Sequence, residues 1–296
     1  MRVHLVAEKD YRDAVRSRTL LALTGLLVFF ILVVYGGLWY VDDAIDPAEI
    51  AELLALPLQV IVPLLGLIIG YMAVVGERRS GSLKVLLGLP PSRADVVFGK
   101  LIGRLAVVTT AILIGVIVAG GLSLILFGGI PITELLSLLL VTVLLGGAFV
   151  GIAVGFSAGL LTRGRSMAGV VGMYILFLGF WDVAVGGVYR LLMGHYPPNP
   201  FLSEQTIEPW VVFLSRLNPM EAFGVVASAL MDQGIFPLVL QFPIGVPPIP
   251  TDRLDSAIAG DIPFYLTEWF AVVILLAWML IPVIVGYLRF ERTDLG

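Results

Sequence analysis

The sequence has no cysteine and only two histidines, His4 and His195. Disulfides, thiolate catalysis and sulfur-based zinc sites are thereby excluded, and a histidine-rich metal site with them. Charge is scarce: 14% of residues are Asp, Glu, Lys or Arg, where a soluble domain carries about 25%. The long apolar stretches hold almost none of it, so no ladder of Asp, Glu or His crosses them as a proton pump requires. No pair of broken apolar segments recurs in two halves, the mark of many secondary transporters. A phosphate-cradling G-x-x-x-x-G-K-[S/T] loop is missing too. Its nearest match, at Gly99-Lys100, has Ala94 for the first glycine and Leu101 for the hydroxyl.

What the sequence has instead is apolar length. It is 59% hydrophobic with a mean hydropathy of +1.02, more apolar surface than a core of this size can hide, and lipid is its natural solvent. Six runs reach the roughly 20 residues needed to cross a bilayer: 19–41, 53–75, 101–127, 135–161, 167–188 and 265–288. Backbone polar groups in lipid must be satisfied within the segment, so these runs are helices. The expected fold is all-α: one polytopic domain over 1–296 with six transmembrane helices.

Charge placement gives an expected orientation. With both termini in the cytoplasm, the inner segments hold 15 of the 18 basic residues, and only Arg190, Arg216 and Arg253 fall outside. The first outer loop carries Asp42, Asp43, Asp46, Glu49 and Glu52 and no basic residue. The basic residues thus follow membrane topology and do not form a nucleic-acid patch. The outer segment 189–264 holds eleven of the 18 prolines. Within it, 210–230 is apolar but interrupted by Arg216, Asn218-Pro219 and Glu221. It is expected to form one or two short helices, interfacial or re-entrant, broken at Pro219.

The inner connection 76–100 is the most patterned stretch. Glu77, Arg78 and Arg79 mark the membrane edge. Leu83, Leu86 and Leu87 share one face of a short helix that Pro90 and Pro91 stop. Ser92 and Asp95 form an acidic capping box for the next helix. Such a helix suits a groove on a soluble partner and equally suits resting on lipid.

The pattern Glu77-Arg78-x-x-Gly81-Ser82-Leu83-x-x-Leu86-Leu87-x-x-Pro90-x-Ser92-Arg93, followed by Gly99-Lys100, resembles the loop between spans two and three of type-2 ABC exporter permeases. The leader, residues 7–18, with Glu8, Lys9, Asp10, Arg16, Ser17 and Arg18, resembles that family's N-terminal elbow helix (1–18 here). The closest subgroup is the NosY-like permeases. The specific motifs occupy about a sixth of the chain, in the family's topological order. The resemblance implies an exporter subunit that dimerises with a second copy or a paralogue in the plasma membrane of a prokaryote. It also implies a separate cytoplasmic P-loop ATPase, which holds ATP and Mg, while this chain binds no cofactor. Glu77, Arg78, Ser82, Leu83, Leu86, Leu87, Pro90, Ser92 and Arg93 would then be the ATPase-coupling surface. Pro90-Pro91 departs from the family pattern of one proline and a small apolar residue. A non-transporting membrane scaffold or sensor remains the alternative.

Three further features invite a functional reading. Gly147, Gly151, Gly155 and Gly159 line one face of the fourth run; static packing is the simpler reading than a sliding or dimer contact. Gly155-Phe156-Ser157-Ala158-Gly159 matches G-x-S-x-G, but a hydrolase serine sits on a strand-to-helix turn, and this one sits in an apolar helix. Asp182 is the one carboxylate well inside a run. It lies about 22 Å up that helix and is expected to reach outer water or pair with Arg190.

Arginine outnumbers lysine fifteen to three, and the acids gather in the outer loops. Genomic base composition explains this, and so does a high-salt habitat. The second account predicts that the protein loses thermal stability in dilute buffer and regains it in molar salt; full stability in dilute buffer overturns it.

Overall fold

A computed structural model describes residues 3–41, 45–80, 92–160, 162–200, 205–231, 244–258 and 260–292, with backbone only for 78–80. Its elements are helical: α1 (Val3–Val15), α2 (Arg18–Val41), α3 (Pro47–Leu53), α4 (Ala55–Gly70), α5 (Val75–Ser80), α6 (Arg93–Phe127), α7 (Ile132–Gly159), α8 (Arg163–Ile175), α9 (Trp181–Met193), α10 (Pro209–Arg216), α11 (Pro219–Met231), α12 (Leu254–Ala257) and α13 (Glu268–Glu291). Among the described residues, the β structure is one parallel bridge, Ile207 to Ile258.

Six units are long and apolar enough to cross a membrane: Arg18–Val41, Pro47–Glu77, Arg93–Phe127, Ile132–Gly159, Arg163–Met193 and Glu268–Glu291. They correspond to the six runs expected from hydropathy. Several extend past the expected ends, because hydropathy marks where lipid stops while a helix continues to its cap. The third span shows this best. It starts at the Ser92 cap, so its 35 residues reach about 52 Å, well beyond a hydrocarbon core of about 30 Å. Gly128 and Gly194 close α6 and α9 in the left-handed conformation (φ 76° and 81°). The second span starts at Pro47, so Glu49 and Glu52 lie in its first helix, α3, which Asp46 caps.

The fourth span, α7, is the hub. It packs against α13, α4, α6 and α11, and its glycines bring these helices to backbone contact. A Cβ at Gly151 would overlap the backbone of Met279, one at Gly155 the backbone of Pro282, and one at Gly286 the backbone of Gly155. Gly147 faces the Met279 sulfur and Gly159 faces Gly286. All four ladder glycines thus lie against α13 of the same chain. On another side of the hub, Gly70 of α4 meets Ala153.

The second and fifth spans are irregular. The second breaks between α4 and α5, and two serines take over the freed backbone groups. Ser157 Oγ accepts from Val74 N (2.9 Å) and Val75 N (3.1 Å), and Ser166 Oγ donates to Tyr71 O (2.8 Å). The fifth contains a π-helical turn, Leu176–Phe180.

The segment 209–231 folds into the bundle as a hairpin. Its joint, Leu217 to Met220, lies level with the middle of three spans. Asn218 Nδ2 donates to Phe177 O (2.9 Å), Gln59 Nε2 to Met220 O (2.6 Å) and Trp278 Nε1 to Leu217 O (2.8 Å). Both arms return to the end remote from the chain termini. Trp210 stacks on Tyr189 there, and Ser137 Oγ, near the start of α7, reaches Leu230 O. The form is therefore re-entrant, with the break at Leu217-Asn218 just before Pro219. A second apolar cluster, including Tyr189, Ile207, Val211, Leu254 and Leu266, covers this hairpin end.

The backbone contact at Gly151 makes a prediction. Gly151→Ala should destabilise by about 1–3 kcal/mol, since the added methyl has no space to enter. Gly121→Ala, with nothing within 4 Å, should be neutral or slightly stabilising. Thermal melting in detergent compares the two, and equal melting temperatures would refute the packing account.

Candidate functional site

The motif residues converge at the end of the bundle that carries both termini. The third span begins with a capping box: Ser92 Oγ accepts from Asp95 N (3.1 Å) and Asp95 Oδ2 accepts from Ser92 N (3.0 Å). Arg93, one residue on, reaches the last turn of α13. Its Nη1 donates to Phe290 O (2.7 Å) and Glu291 O (2.8 Å), and its guanidinium lies 5.3 Å from the Phe290 ring centre. Carbonyls at a helix C-terminus lack intrahelical partners and carry partial negative charge, so a cation is favoured there. The start of the third span is thereby tied to the end of the sixth.

Two turns further along α6, Lys100 joins three elements. Its Nζ meets Glu77 Oε1 of α5 at 2.8 Å and Asp10 Oδ1 of α1 at 3.1 Å. Arg104 completes the group, with Nε 2.8 Å from Asp10 Oδ2 and Nη2 3.0 Å from Oδ1. Lys100 is only 3% exposed and Asp10 6%. Such burial is tolerable because two carboxylates face two cations and the group is neutral. Glycines permit the approach. Gly99 lies under Val6 and Gly103 under Asp10, so that a Cβ at either would stand within 3 Å of them. Tyr11 Oη to Thr110 Oγ1 (3.1 Å) adds a further bond along the same seam. The elbow helix α1 is thus fastened to the third span along its length.

Of the nine residues expected to couple to an ATPase, Ser92 and Arg93 lie at the start of the third span and Glu77 in the ion cluster two turns further along it. The backbone of Arg78 continues α5. Ser82, Leu83, Leu86, Leu87 and Pro90 lie outside the described residues. Among the described residues, no group of three or more His, Asp or Glu stands ready to hold a metal.

Ser157 of the G-x-S-x-G match is spent on two backbone N–H groups at the break in the second span. Nothing in the local sequence signals this use, since the break it seals lies over eighty residues away.

Asp182 departs from expectation. It meets neither outer water freely nor Arg190, whose guanidinium contacts Tyr196 instead. The fifth span runs on to Met193, and the hairpin covers its flank. Ser215 Oγ contacts Asp182 Oδ1 and lies 3.2 Å from Glu221 Oε2, so one hydroxyl gathers both carboxyls. Arg216 stands beside them, 3% exposed, and donates to Leu266 O (2.6 Å) and Ile249 O (3.3 Å). Sequence reasoning treated Arg216 and Glu221 as interruptions of a span. The usable signal was that charges in an apolar run need partners, and Asp182 was the unpaired one.

Comparison with known proteins gives a consistent result. A family model described as ABC-2 family transporter protein matches residues 4–295. A protein of Pseudomonas aeruginosa named "Probable ABC transporter permease protein NosY" is 27% identical over 261 residues, covering 82% of this chain and 88% of its own length. A protein of the same name from Stutzerimonas stutzeri is 29% identical over 233 residues, covering 75% and 79%.

The ion cluster makes its own prediction. Asp10→Ala strands the buried Lys100 and Arg104 beside a single remaining carboxylate and should cost about 3–5 kcal/mol. Adding Lys100→Met to that variant should recover part of the loss. Melting of the two single and the double variants forms the cycle; additive losses would mean that the residues do not act as a pair.

Proposed function

The chain belongs to the ABC-2 family of transporter proteins, and on that premise we propose that it is the permease subunit of an ATP-driven exporter, oriented with both termini in the cytoplasm. Family membership makes it a multi-pass membrane component of a transporter. The reading beyond that draws on one observation above all. Glu77 and Arg93, which flank the connection between the second and third spans, are joined through Lys100, Asp10 and Phe290 to α1 and α13. A force applied to that connection therefore reaches four helices together, not one loop.

The source of the force is a separate cytoplasmic P-loop ATPase that carries ATP and Mg, since this chain has no phosphate-cradling loop of its own. Its docking surface is the segment containing Ser82, Leu83, Leu86, Leu87 and Pro90. A second copy or a paralogue completes the pathway. Placing the terminal end in the cytoplasm accords with the distribution of basic residues. The proposed home is the plasma membrane of a prokaryote; both named relatives are bacterial proteins.

The test is affinity purification of the tagged chain from native membranes, with mass spectrometry of what accompanies it. A roughly stoichiometric P-loop ATPase is expected, and Leu86→Asp, which sets a charge on a small apolar contact, should insert normally yet lose it. Recovery of the wild-type chain alone in several detergents would favour a scaffold or sensor. Wild-type ATPase yield with Leu86→Asp would overturn the docking assignment.

A further inference from the structure

The cluster under the hairpin has a proton deficit that can be counted. Ser215 carries one hydroxyl hydrogen, yet its Oγ lies within hydrogen-bonding reach of two carboxyl oxygens, Asp182 Oδ1 and Glu221 Oε2. That hydrogen serves one of them. The two carboxyls are thus gathered on one hydroxyl, two acceptors with a single hydrogen between them. Glu221 Oε1 is buried with no donor, and Glu221 as a whole is 6% exposed. An unsatisfied buried acceptor is costly, and two like charges held on one hydroxyl, with Glu221 buried, disfavour each other strongly.

The surrounding charges point the same way. Arg216 of α10 is the cation that acts on Glu221, and Glu268 at the start of α13 acts in turn on Arg216. Helix α4, against which the hairpin joint rests, supplies the uncharged Gln59. Helix α7 has Glu134 in its first turn and no other charged residue. The turn 251–253, which also packs on α11, adds Asp252 and Arg253, one charge of each sign; among the described residues Arg216 therefore stands beside two acids, and a proton is the species that neutralises the second.

We propose that Asp182, Ser215 and Glu221 form a proton-binding site that latches the α10–α11 hairpin to the fifth span. With one proton shared, the three side chains bridge α9, α10 and α11 through hydrogen bonds. On its loss, two carboxylates face the single Arg216, and their repulsion acts directly on the joint between hairpin and span. Nothing in this depends on the ATPase partner.

The direction of the pH effect follows from Glu221, on the non-spanning helix α11. Its Oε1 is buried without a donor and it shares its serine with a second carboxyl, so the folded site holds this proton at a higher pH than an exposed carboxyl does. The folded protein therefore keeps a proton that the unfolded chain has already lost. Stability is greatest below the ordinary carboxylate range and declines as pH rises through the window between the two values. For one proton and a chain of this size the decline is roughly 2 °C in melting temperature per pH unit.

The experiment is thermal melting of the detergent-purified chain from pH 4.5 to pH 8, with hydrogen exchange of the 209–231 peptides at each pH, corrected for the intrinsic rate. Wild type should melt lower and lose protection in that segment as pH rises. Glu221→Gln, which mimics the protonated acid, should flatten both trends and melt at least as high as wild type at pH 8. Asp182→Asn should do the same by the other partner and stands as the second variant should the first fold poorly. Variants that keep the wild-type slope would overturn the proton site. Flattened melting with hairpin protection independent of pH in wild type would overturn the latch.

Discussion

The constraint on which this structure turns is that lipid offers no hydrogen bonds. A backbone N–H or C=O exposed there costs several kcal/mol, so every departure from a straight helix must be sealed by the protein itself. Among the described residues, three departures are sealed by side chains: the break between α4 and α5, the π-helical turn of the fifth span, and the joint of the hairpin. Each departure is met by a polar side chain from a distant part of the sequence. Ser157 and Ser166 serve the first, Asn218 bridges the second and third, and Gln59 and Trp278 complete the third. These five side chains account for part of the polar content of an otherwise apolar interior.

The same constraint governs the charges. Both buried ionic groups sit where helices of different spans meet, and both have a defined proton and charge count. At the terminal end, Asp10, Glu77, Lys100 and Arg104 balance as two against two, and no proton is needed. Under the hairpin, among the described residues, Asp182 and Glu221 stand beside Arg216, and the count is short by one. The first arrangement is balanced by its own side chains and suits a permanent joint between α1, α5 and α6. The second, on the proposed reading, depends for its neutrality on a proton.

Much of the fold was legible in sequence because hydropathy reports a solvent, and the solvent for each span is the same lipid. The six spans, the capping box at Ser92 and the break near Pro219 are local signals and read correctly from local patterns. The use of Ser157 is not local: its Oγ meets residues 82 and 83 positions away, and no periodicity encodes that. Asp182 misled for a related reason. Its height along the fifth span was sound as a count from the inner end, but the span extends to Met193 and the hairpin folds over it. Depth from water is set by what packs alongside, and one helix does not contain that information. For the site at the terminal end, the sequence marked Asp10, Glu77 and Lys100 within two separate motifs, and only the packing of α1 on α6 shows that they are one assembly.

Packing also decides where movement can occur. The hub α7 meets α13 through backbone contacts at Gly151, Gly155 and Gly286, and such contacts leave no room for side chains to give. Motion between those two helices would have to be a rigid slide. The second span, by contrast, is already broken at residues 71–74, and its two sides are held there by hydroxyls of Ser157 and Ser166, which can rotate and re-form bonds. Helix α5 lies beyond that break, tied by Glu77 to Lys100 and hence to α1 and α6. On the proposed coupling reading, the break separates a part of the second span fixed to the hub from a part that moves with the connection. The bundle would then yield at a seam closed by two hydroxyls before it yields at one closed by backbone against backbone.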